Sequence, residues 1–308
     1  MATLGVVVNP AANGNRGSGP GAGVIRELTA AGHEVVDLSG DTAAVAQQLA
    51  HAACAAEGGR PDALVVVGGD GMVHLGINAV AGTGVPLGLV AIGSGNDFAR
   101  NVGLPAHNGL DALHALERAL ETGPRPIDVL RATGAFGTRY TACVVSVGLD
   151  AAVNARANTL RFPPGGGKYI RAALTELRKF RPYGYTITID GERREMPGTL
   201  VAVANGTYFG GGMKIAPGAK IDDGLADVVL AGALSPWEAM RLFPRLYEGS
   251  HVRHEAVEIV RAREVVLEPL APHPDPPEAY GDGERIGPVP MRIAVEPGAV
   301  QLLAPHVR

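Results

Sequence analysis

Cysteine is nearly absent from this 308-residue chain: Cys54 and Cys143 are the only two, and they form no CxxC pair. That excludes a disulfide framework, argues against a structural zinc site and fits a reducing compartment. A basic excess is missing too. The formal net charge is -4, which speaks against nucleic acid as the main partner, since duplex binders carry a positive surplus. No apolar run approaches the ~18 residues that a membrane-spanning helix needs. The opening residues place no basic region ahead of their apolar run, which breaks at Asn9-Pro10, so a signal peptide is not expected. The expectation is a cytoplasmic, soluble protein, free to touch a membrane surface. Several catalytic signatures are also lacking. There is no GxxxxGK[ST], and Gly17-Ser-Gly19 followed by Ala22 lies too far past its strand to be a dinucleotide fingerprint. His33-Glu-Val-Val-Asp37 lacks a second histidine for zinc, and Ser146 sits in no nucleophile elbow.

What is present is glycine, 43 residues of it, with 23 prolines but no collagen-like period and no long-period repeat. Hydrophobic residues at 46% and charged residues at 19% give ample core, and the length favours two domains. Residues 4–8, 34–38, 63–67 and 87–92 read as strands, each followed by a loop and a helix (24–31, from the N-cap candidate Asp41 to 55, up to 81, and 98–101). Strand, loop and helix in repetition predict a doubly wound α/β domain with a parallel sheet over residues 1–125. The texture then changes. Short strand-like runs at 127–132, 140–147, 185–190, 199–204, 226–231, 256–261 and 264–268, with hairpin signals at Asp190-Gly191 and Asp282-Gly283, predict a β-sandwich over 126–295. Helices are expected at 168–180 and 236–247, and the tail from about 296 to 308 is compatible with packing back on the first domain.

Three glycine loops follow successive N-terminal strands. They are Asn9-Pro10-Ala-Ala-Asn13-Gly14-Asn-Arg16-Gly17, Gly68-Gly69-Asp70-Gly71 and Gly93-Ser94-Gly95-Asn96-Asp97. One such loop is more often a plain turn; three at one sheet edge line a single crevice, where bare N–H groups suit phosphate oxygens. Asp70, Asp97 and Asp128 follow the glycines and are candidates to organise Mg²⁺, although a helix cap competes as the reading of Asp97.

Together with Ile127-Asp128, Gly211-Gly212, the run Ala216-Pro217-Gly-Ala-Lys220-Ile-Asp222-Asp223-Gly224-Leu225 and Asp282-Gly283-Glu284, these motifs stand in the order of a known family. Over essentially its whole length the chain resembles the bacterial soluble diacylglycerol kinases and their sphingosine and ceramide kinase relatives. The resemblance implies an α/β nucleotide-binding domain plus a β-sandwich domain, with the active site in the cleft between them. It implies an ATP site from Asn9, Pro10, Asn13, Gly14 and Arg16, with Ser39, Gly68, Gly69, Asp70, Gly71, Met72, Val73, His74, Ser94, Gly95 and Asn96. It implies that Glu284, or second Asp282, takes the proton of the acceptor hydroxyl, with Asp70, Asp97 and Asp128 around catalytic Mg²⁺. A separate structural Mg²⁺ site maps onto Lys220, Asp223 and Leu225. The chain departs from the pattern at Met72, which replaces a threonine, and at His74-Leu75, which replace Asn-Glu. Backbone phosphate contacts survive these changes; the hydroxyl and the carboxylate do not.

The activity implied is ATP- and Mg²⁺-dependent phosphorylation of diacylglycerol or a similar lipid. The alternatives are an NAD-kinase-like or sugar-phosphate kinase of the same superfamily, and a nucleotide-binding relative with weakened catalysis. The expected partner is a lipid presented at a membrane surface, and a homodimer is compatible with the sequence. Lys168, Arg171, Thr175, Arg178 and Lys179 cluster on one face at helical spacing, with Arg161 and Arg181 nearby. Such a face suits anionic headgroups, while a solvated face of a packed helix is the commoner origin of the pattern.

Overall fold

The computed structural model describes residues 1–9, 19–106, 108–160, 171–172, 175–176, 183–270 and 278–305. The chain divides into two compact units, Met1–Ile127 with the segment from Gly298 on, and Asp128–Pro297.

The first unit is built on a parallel sheet. Strands β1 (Thr3–Val8), β2 (Glu34–Asp37), β3 (Ala63–Gly68) and β4 (Leu87–Ala91) lie in the order β2-β1-β3-β4. Every residue of β3 and β4 is buried, as expected of strands covered on both faces. Helices α1 (Pro20–Ala30) and α5 (Gly109–Thr122) cover one face. There Val24, Leu28, Leu113 and Leu116 pack with Leu4, Val6, Val65 and Val67. Helices α2 (Ala43–Ala55) and α3 (Asp70–Val80) pack on each other and on the sheet, and Gly76 of α3 sits against Val66 and Leu87. Helix α4 (Asp97–Val102) follows β4. The N-cap of α2 is Thr42, whose hydroxyl accepts from the Val45 N–H, one residue past the expected Asp41. Helix α5 was not expected. Asn108 caps it, and apolar side chains at Leu113 and Leu116 bury one face.

The order β2-β1-β3 decides where a ligand can sit. The chain runs outward from β1 to β2 and then returns to the other side of β1 to make β3, so the loops after β1 and β3 diverge. Open α/β sheets bind ligands at that reversal, outside the carboxyl ends of the strands.

The second unit is antiparallel. Strands β5 (Arg125–Gly134), β6 (Gly137–Thr141), β7 (Val144–Gly148), β8 (Tyr183–Ile189), β9 (Glu192–Ala204), β10 (Tyr208–Phe209), β11 (Met213–Lys214), β12 (Ala226–Gly232), β13 (Val257–Ala262), β14 (Glu264–Pro269), β15 (Glu278–Gly281), β16 (Glu284–Pro288) and β17 (Met291–Leu302) follow in sequence. The long β9 serves two neighbourhoods: Glu192–Gly198 pair with β8, and Leu200–Ala204 run between β7 and β12. Tyr185, Ile187, Val201, Val203, Val228 and Val265 form the centre of its core. The end of β17 leaves this unit, and Leu302 pairs in parallel with Leu87 of β4. Among the described residues, helices α6 (Leu149–Thr159), which was not expected, and α7 (Pro236–Glu248) cover the strands, and residues 171–172 and 175–176, within the helix expected over 168–180, are helical. A capping box, Ser235 with Glu238, opens α7. Of the basic helical face expected over 168–180, only Arg171 and Thr175 are among the described residues.

One buried side chain ties the centre of this unit. Asn205, fully buried, donates from Nδ2 to the carbonyls of Asp128 and Ala142, each at 2.9 Å, and its N–H donates to Cys143 O at 2.7 Å. Replacing Asn205 by alanine removes the Nδ2 donor from both buried carbonyls. We expect Asn205→Ala to lose about 2 to 3 kcal/mol of stability, read as a lower urea midpoint at unchanged slope.

Candidate active site

The first unit supplies a corner of bare backbone. Asn9, just past β1, donates its N–H to Val67 O at 3.1 Å and lies beside Gly68. Ser39, just past β2, is held by Asp37, whose Oδ1 accepts from its hydroxyl at 2.5 Å and its N–H at 2.9 Å; the Ser39 hydroxyl in turn accepts the Val8 N–H at 3.0 Å. The loop after β3 meets the loop after β4 backbone to backbone. A Cβ on Gly93 would lie 2.4 Å from Gly69 Cα, and one on Gly69 would lie 3.1 Å from Gly93 Cα. Only glycine allows that approach. Asn96, 2% exposed with φ of 56°, holds the second loop through Nδ2 to the carbonyls of Gly93 at 2.7 Å and Ala106 at 2.5 Å. Ser94 is exposed at the tip, and Gly95 packs under Asp70.

Met72 and Val73, expected to contact nucleotide, are 5% and 2% exposed, and their N–H groups donate to Gly69 O at 2.9 and 3.2 Å. The donors that α3 itself does not use are those of its opening residues, Asp70 and Gly71. The Met72 side chain packs beneath Gly68, and His74 is half-buried with its carbonyl accepting from Asn78 Nδ2 at 2.8 Å. Pro10, Asn13, Gly14 and Arg16 lie outside the described residues.

Each carboxylate expected around Mg²⁺ has a structural task. Asp70 Oδ1 accepts the Phe98 N–H at 3.0 Å, and so caps α4 from another helix. Asn96, at the N-cap position of α4, makes no side-chain cap. Asp97, 7% exposed, is paired with Arg100 at 2.8 Å. Asp128 belongs to the second unit, where its Oδ2 accepts the Gly224 N–H at 2.6 Å. That contact braces the turn carrying the expected structural metal ligands. In this turn Asp223 Oδ1 accepts the Leu225 N–H at 3.2 Å, Oδ2 is paired with the Arg261 guanidinium, and Lys220 is exposed. A guanidinium thus supplies the positive charge at the one carboxylate of that set. Among the described residues no group of three or more His, Cys, Asp or Glu side chains is disposed to hold a metal ion.

The Asp282-Gly283 turn joins β15 to β16 with φ of 50° and 87°. The Asp282 carboxylate accepts from the N–H groups of Ala142 (2.7 Å), Cys143 (3.1 Å) and Val144 (3.0 Å). It is a clamp on the approach to β7. Glu284 opens β16 and is exposed.

The second unit also contains an apolar cavity of about 110 Å³. Leu149 and Val153 of α6, Met213, Val229, and Leu242 and Phe243 of α7 are among its walls. Asp150, which the sequence reading passed over, lines it too. Its Oδ2 accepts from Ser146 Oγ at 2.5 Å and from Asn154 Nδ2 at 3.0 Å. Burial pushes its carboxyl from 3.8 up to about 6, against the pull of those two hydrogen bonds. Its two donors lie four residues to either side, whereas the cavity walls around it are assembled from distant segments.

Comparison with known proteins bears on both units. The family model "Diacylglycerol kinase catalytic domain" matches residues 3–132, and "YegS C-terminal NAD kinase beta sandwich-like domain" matches residues 143–304. A protein of Mycobacterium tuberculosis called diacylglycerol kinase is 35% identical over 286 residues, covering 92% of this chain and 89% of its own. A Chromohalobacter salexigens protein called "Probable lipid kinase YegS-like" is 32% identical over 248 residues, covering 79% and 76%. In fold, the chain matches a crystal structure of a diacylglycerol kinase from Bacillus anthracis with a TM-score of 0.72 at 23% identity, over 98% of this chain and 97% of that one.

Two outcomes follow from this geometry. Gly93→Ala drives a methyl group into the Gly69 backbone, so it is expected to separate the two loops and lower the melting temperature, which thermal denaturation measures. Asp150 sets a pH signature. Its carboxyl ionises near 3.8 in the unfolded chain and near 6 in the fold, so ionisation opposes folding above that window and not below it. Asp150→Asn is therefore expected to be more stable than wild type near pH 7.5, by on the order of 1 to 3 kcal/mol. The difference shrinks as pH falls through 6 and vanishes near 3.8, which denaturation curves at several pH values measure.

Proposed function

We propose that this chain, which belongs to the diacylglycerol kinase and YegS-type lipid kinase family, transfers the γ-phosphoryl group of ATP to the free hydroxyl of diacylglycerol or a similar lipid. The observation that carries the lipid reading is the cavity in the second unit. An acceptor that is a sugar phosphate or a dinucleotide needs polar walls; this cavity is walled mainly by leucine, valine, methionine and phenylalanine, which suit an acyl chain.

The nucleotide reading rests on the glycine corner. Phosphate oxygens need donors that side chains do not obstruct, and the Gly69–Gly93 contact keeps the backbone bare where α3 presents its opening N–H groups. The partial positive charge of the helix N-terminus adds to their effect. Mg²⁺ in such enzymes is held mainly by substrate phosphates and water with one or two carboxylates, and it neutralises charge on the transferred group. Asp70 fits that modest demand: one oxygen is spent on Phe98, and the other lies over Gly95 at the same corner. The Lys220–Asp223–Leu225 turn fits a second cation poorly, because Arg261 already neutralises Asp223, and no role is derived for one.

Attack by a hydroxyl on phosphorus requires a proton acceptor. The geometry favours Glu284 over Asp282 for this role. Asp282 spends both oxygens on three backbone donors, whereas Glu284 is exposed beside that rigid turn. A second reading, nucleotide binding without turnover, rests on Met72 and His74-Leu75, where a hydroxyl and a carboxylate of the family pattern are missing.

The test is ADP release from ATP and Mg²⁺, with and without diacylglycerol in detergent micelles. Lipid-stimulated release is expected, and Glu284→Gln should reduce it at least about 10²-fold while ATP binding stays within about twofold. Release stimulated only by soluble acceptors would redirect the assignment to another kinase of the superfamily. No stimulated release by any acceptor would favour the binding-only reading.

A further inference from the structure

We propose that helix α7 is the element by which this chain settles on a phospholipid bilayer, with Trp237 and Tyr247 entering the boundary between headgroups and acyl chains. The inference rests on the lipid reading of the cavity and names the surface through which the lipid is reached.

At ~100° per residue, the circumference of α7 divides into three sectors without an exception. Ala239, Leu242, Phe243 and Leu246 share the sector that lines the cavity. Pro236, Trp237, Met240, Pro244 and Tyr247 occupy the adjoining ~100°. Glu238, Arg241, Arg245 and Glu248 lie together on the third side. A helix packed on a domain needs one apolar face; α7 has a second, and water meets it. Trp237 is 60% exposed and Tyr247 42%, Pro236 and Pro244 are exposed, and Met240 is half-buried. The inner and outer apolar sectors join without a polar break. Phe243 of the cavity wall meets Tyr247 edge to face, with ring centroids 6.2 Å apart.

The chemistry of the outer sector suits a bilayer. Tryptophan and tyrosine favour the membrane–water interface, which accommodates an apolar ring and a polar tip together. Positive charge stands at the sector's edge. The Arg241 guanidinium lies over the Trp237 ring, 5.3 Å from its centroid, and Arg245 follows one turn later. Among the described residues neither arginine is in an ion pair, which leaves both guanidinium groups for headgroup phosphates. The two acids of the same side are engaged elsewhere: Glu238 closes the capping box with Ser235, and Glu248 accepts from Ser250 Oγ at 3.2 Å. Exposed aromatic rings bordered by arginine are the composition of a helix that lies in the plane of the interface. Docking through this face would set the cavity one helix diameter, ~10 Å, from the bilayer that holds the lipid.

Trp237 is the single tryptophan of the chain, so its emission reports on this face alone. The experiment titrates the full chain, without nucleotide, with vesicles of phosphatidylcholine and phosphatidylglycerol, following tryptophan emission and vesicle flotation together. Binding is expected to move the emission to shorter wavelength, and lipids brominated on their acyl chains are expected to quench it. Trp237→Ser, read by flotation, is expected to weaken binding at least about tenfold, because the apolar area of the indole is lost. Arg241→Gln and Arg245→Gln are each expected to weaken it about fivefold. None of the three residues lines the cavity, so ADP release with diacylglycerol in detergent micelles is expected to stay at the wild-type rate, which separates docking from folding and turnover. Absence of vesicle binding overturns the proposal, as does binding with unshifted emission or binding equal in variants and wild type. An emission that shifts with protein concentration alone also overturns it, and identifies a second copy of this chain as what covers the face. A wild type whose ADP release diacylglycerol micelles do not stimulate overturns the lipid reading itself, whatever the vesicles show.

Discussion

The first unit depends on one approach: the backbone at Gly69 against the backbone at Gly93. With no side chain on either residue, the loops after β3 and β4 close into a single corner. The rest of the local chemistry serves that contact. Asn96 adopts a left-handed conformation and ties the second loop to Gly93 and Ala106. Because Asn96 then cannot cap α4, Asp70 reaches across and does so through the Phe98 N–H. A carboxylate at the opening of one helix thus secures the opening of another, and two sets of helix N-terminal donors end beside one turn of bare chain.

The second unit uses aspartate in the same way and more often. Asp190 accepts from the N–H groups of Arg263 and Glu264, Asp282 from those of Ala142, Cys143 and Val144, and Asp128 from that of Gly224. In Asp190 and Asp282 the residue itself has a positive φ inside an Asp-Gly turn. One residue therefore makes the tight turn and fastens a neighbouring segment to it. Acidic motifs in this chain are in large part bracing, and a role in chemistry must be argued from an oxygen that the brace leaves over. That criterion separates Glu284 from Asp282, and it singles out the second oxygen of Asp70.

The α/β half was legible in the sequence because its signals are local: apolar runs of strand length that end in glycine, followed by helical segments. Helix α5 was legible and was missed, although Asn108 caps it and apolar residues recur along one face. Helix α6 was far harder to see. It opens without a side-chain cap and its apolar residues do not favour a face, so its position is set by the strands beneath it. The Asp282-Gly283 hairpin was readable from its dipeptide alone. That the Asp282 oxygens serve residues some 140 positions earlier was not, since no periodicity encodes a contact of that range. Glycine loops show where bare backbone lies, while the bonding partners of a carboxylate emerge only when distant segments meet.

Asp150 brings these strands of reasoning together. The bracing aspartates are each offset by the backbone donors they satisfy, and their removal would leave those donors stranded. Asp150 satisfies a serine hydroxyl and an asparagine amide on one oxygen, and burial raises its pKa to about 6 even so. Ionisation there works against the fold at neutral pH. The side chain sits in the first turn of α6 and lines an otherwise apolar cavity. Sites that bind or react are where proteins tolerate such conflicts between local stability and local chemistry.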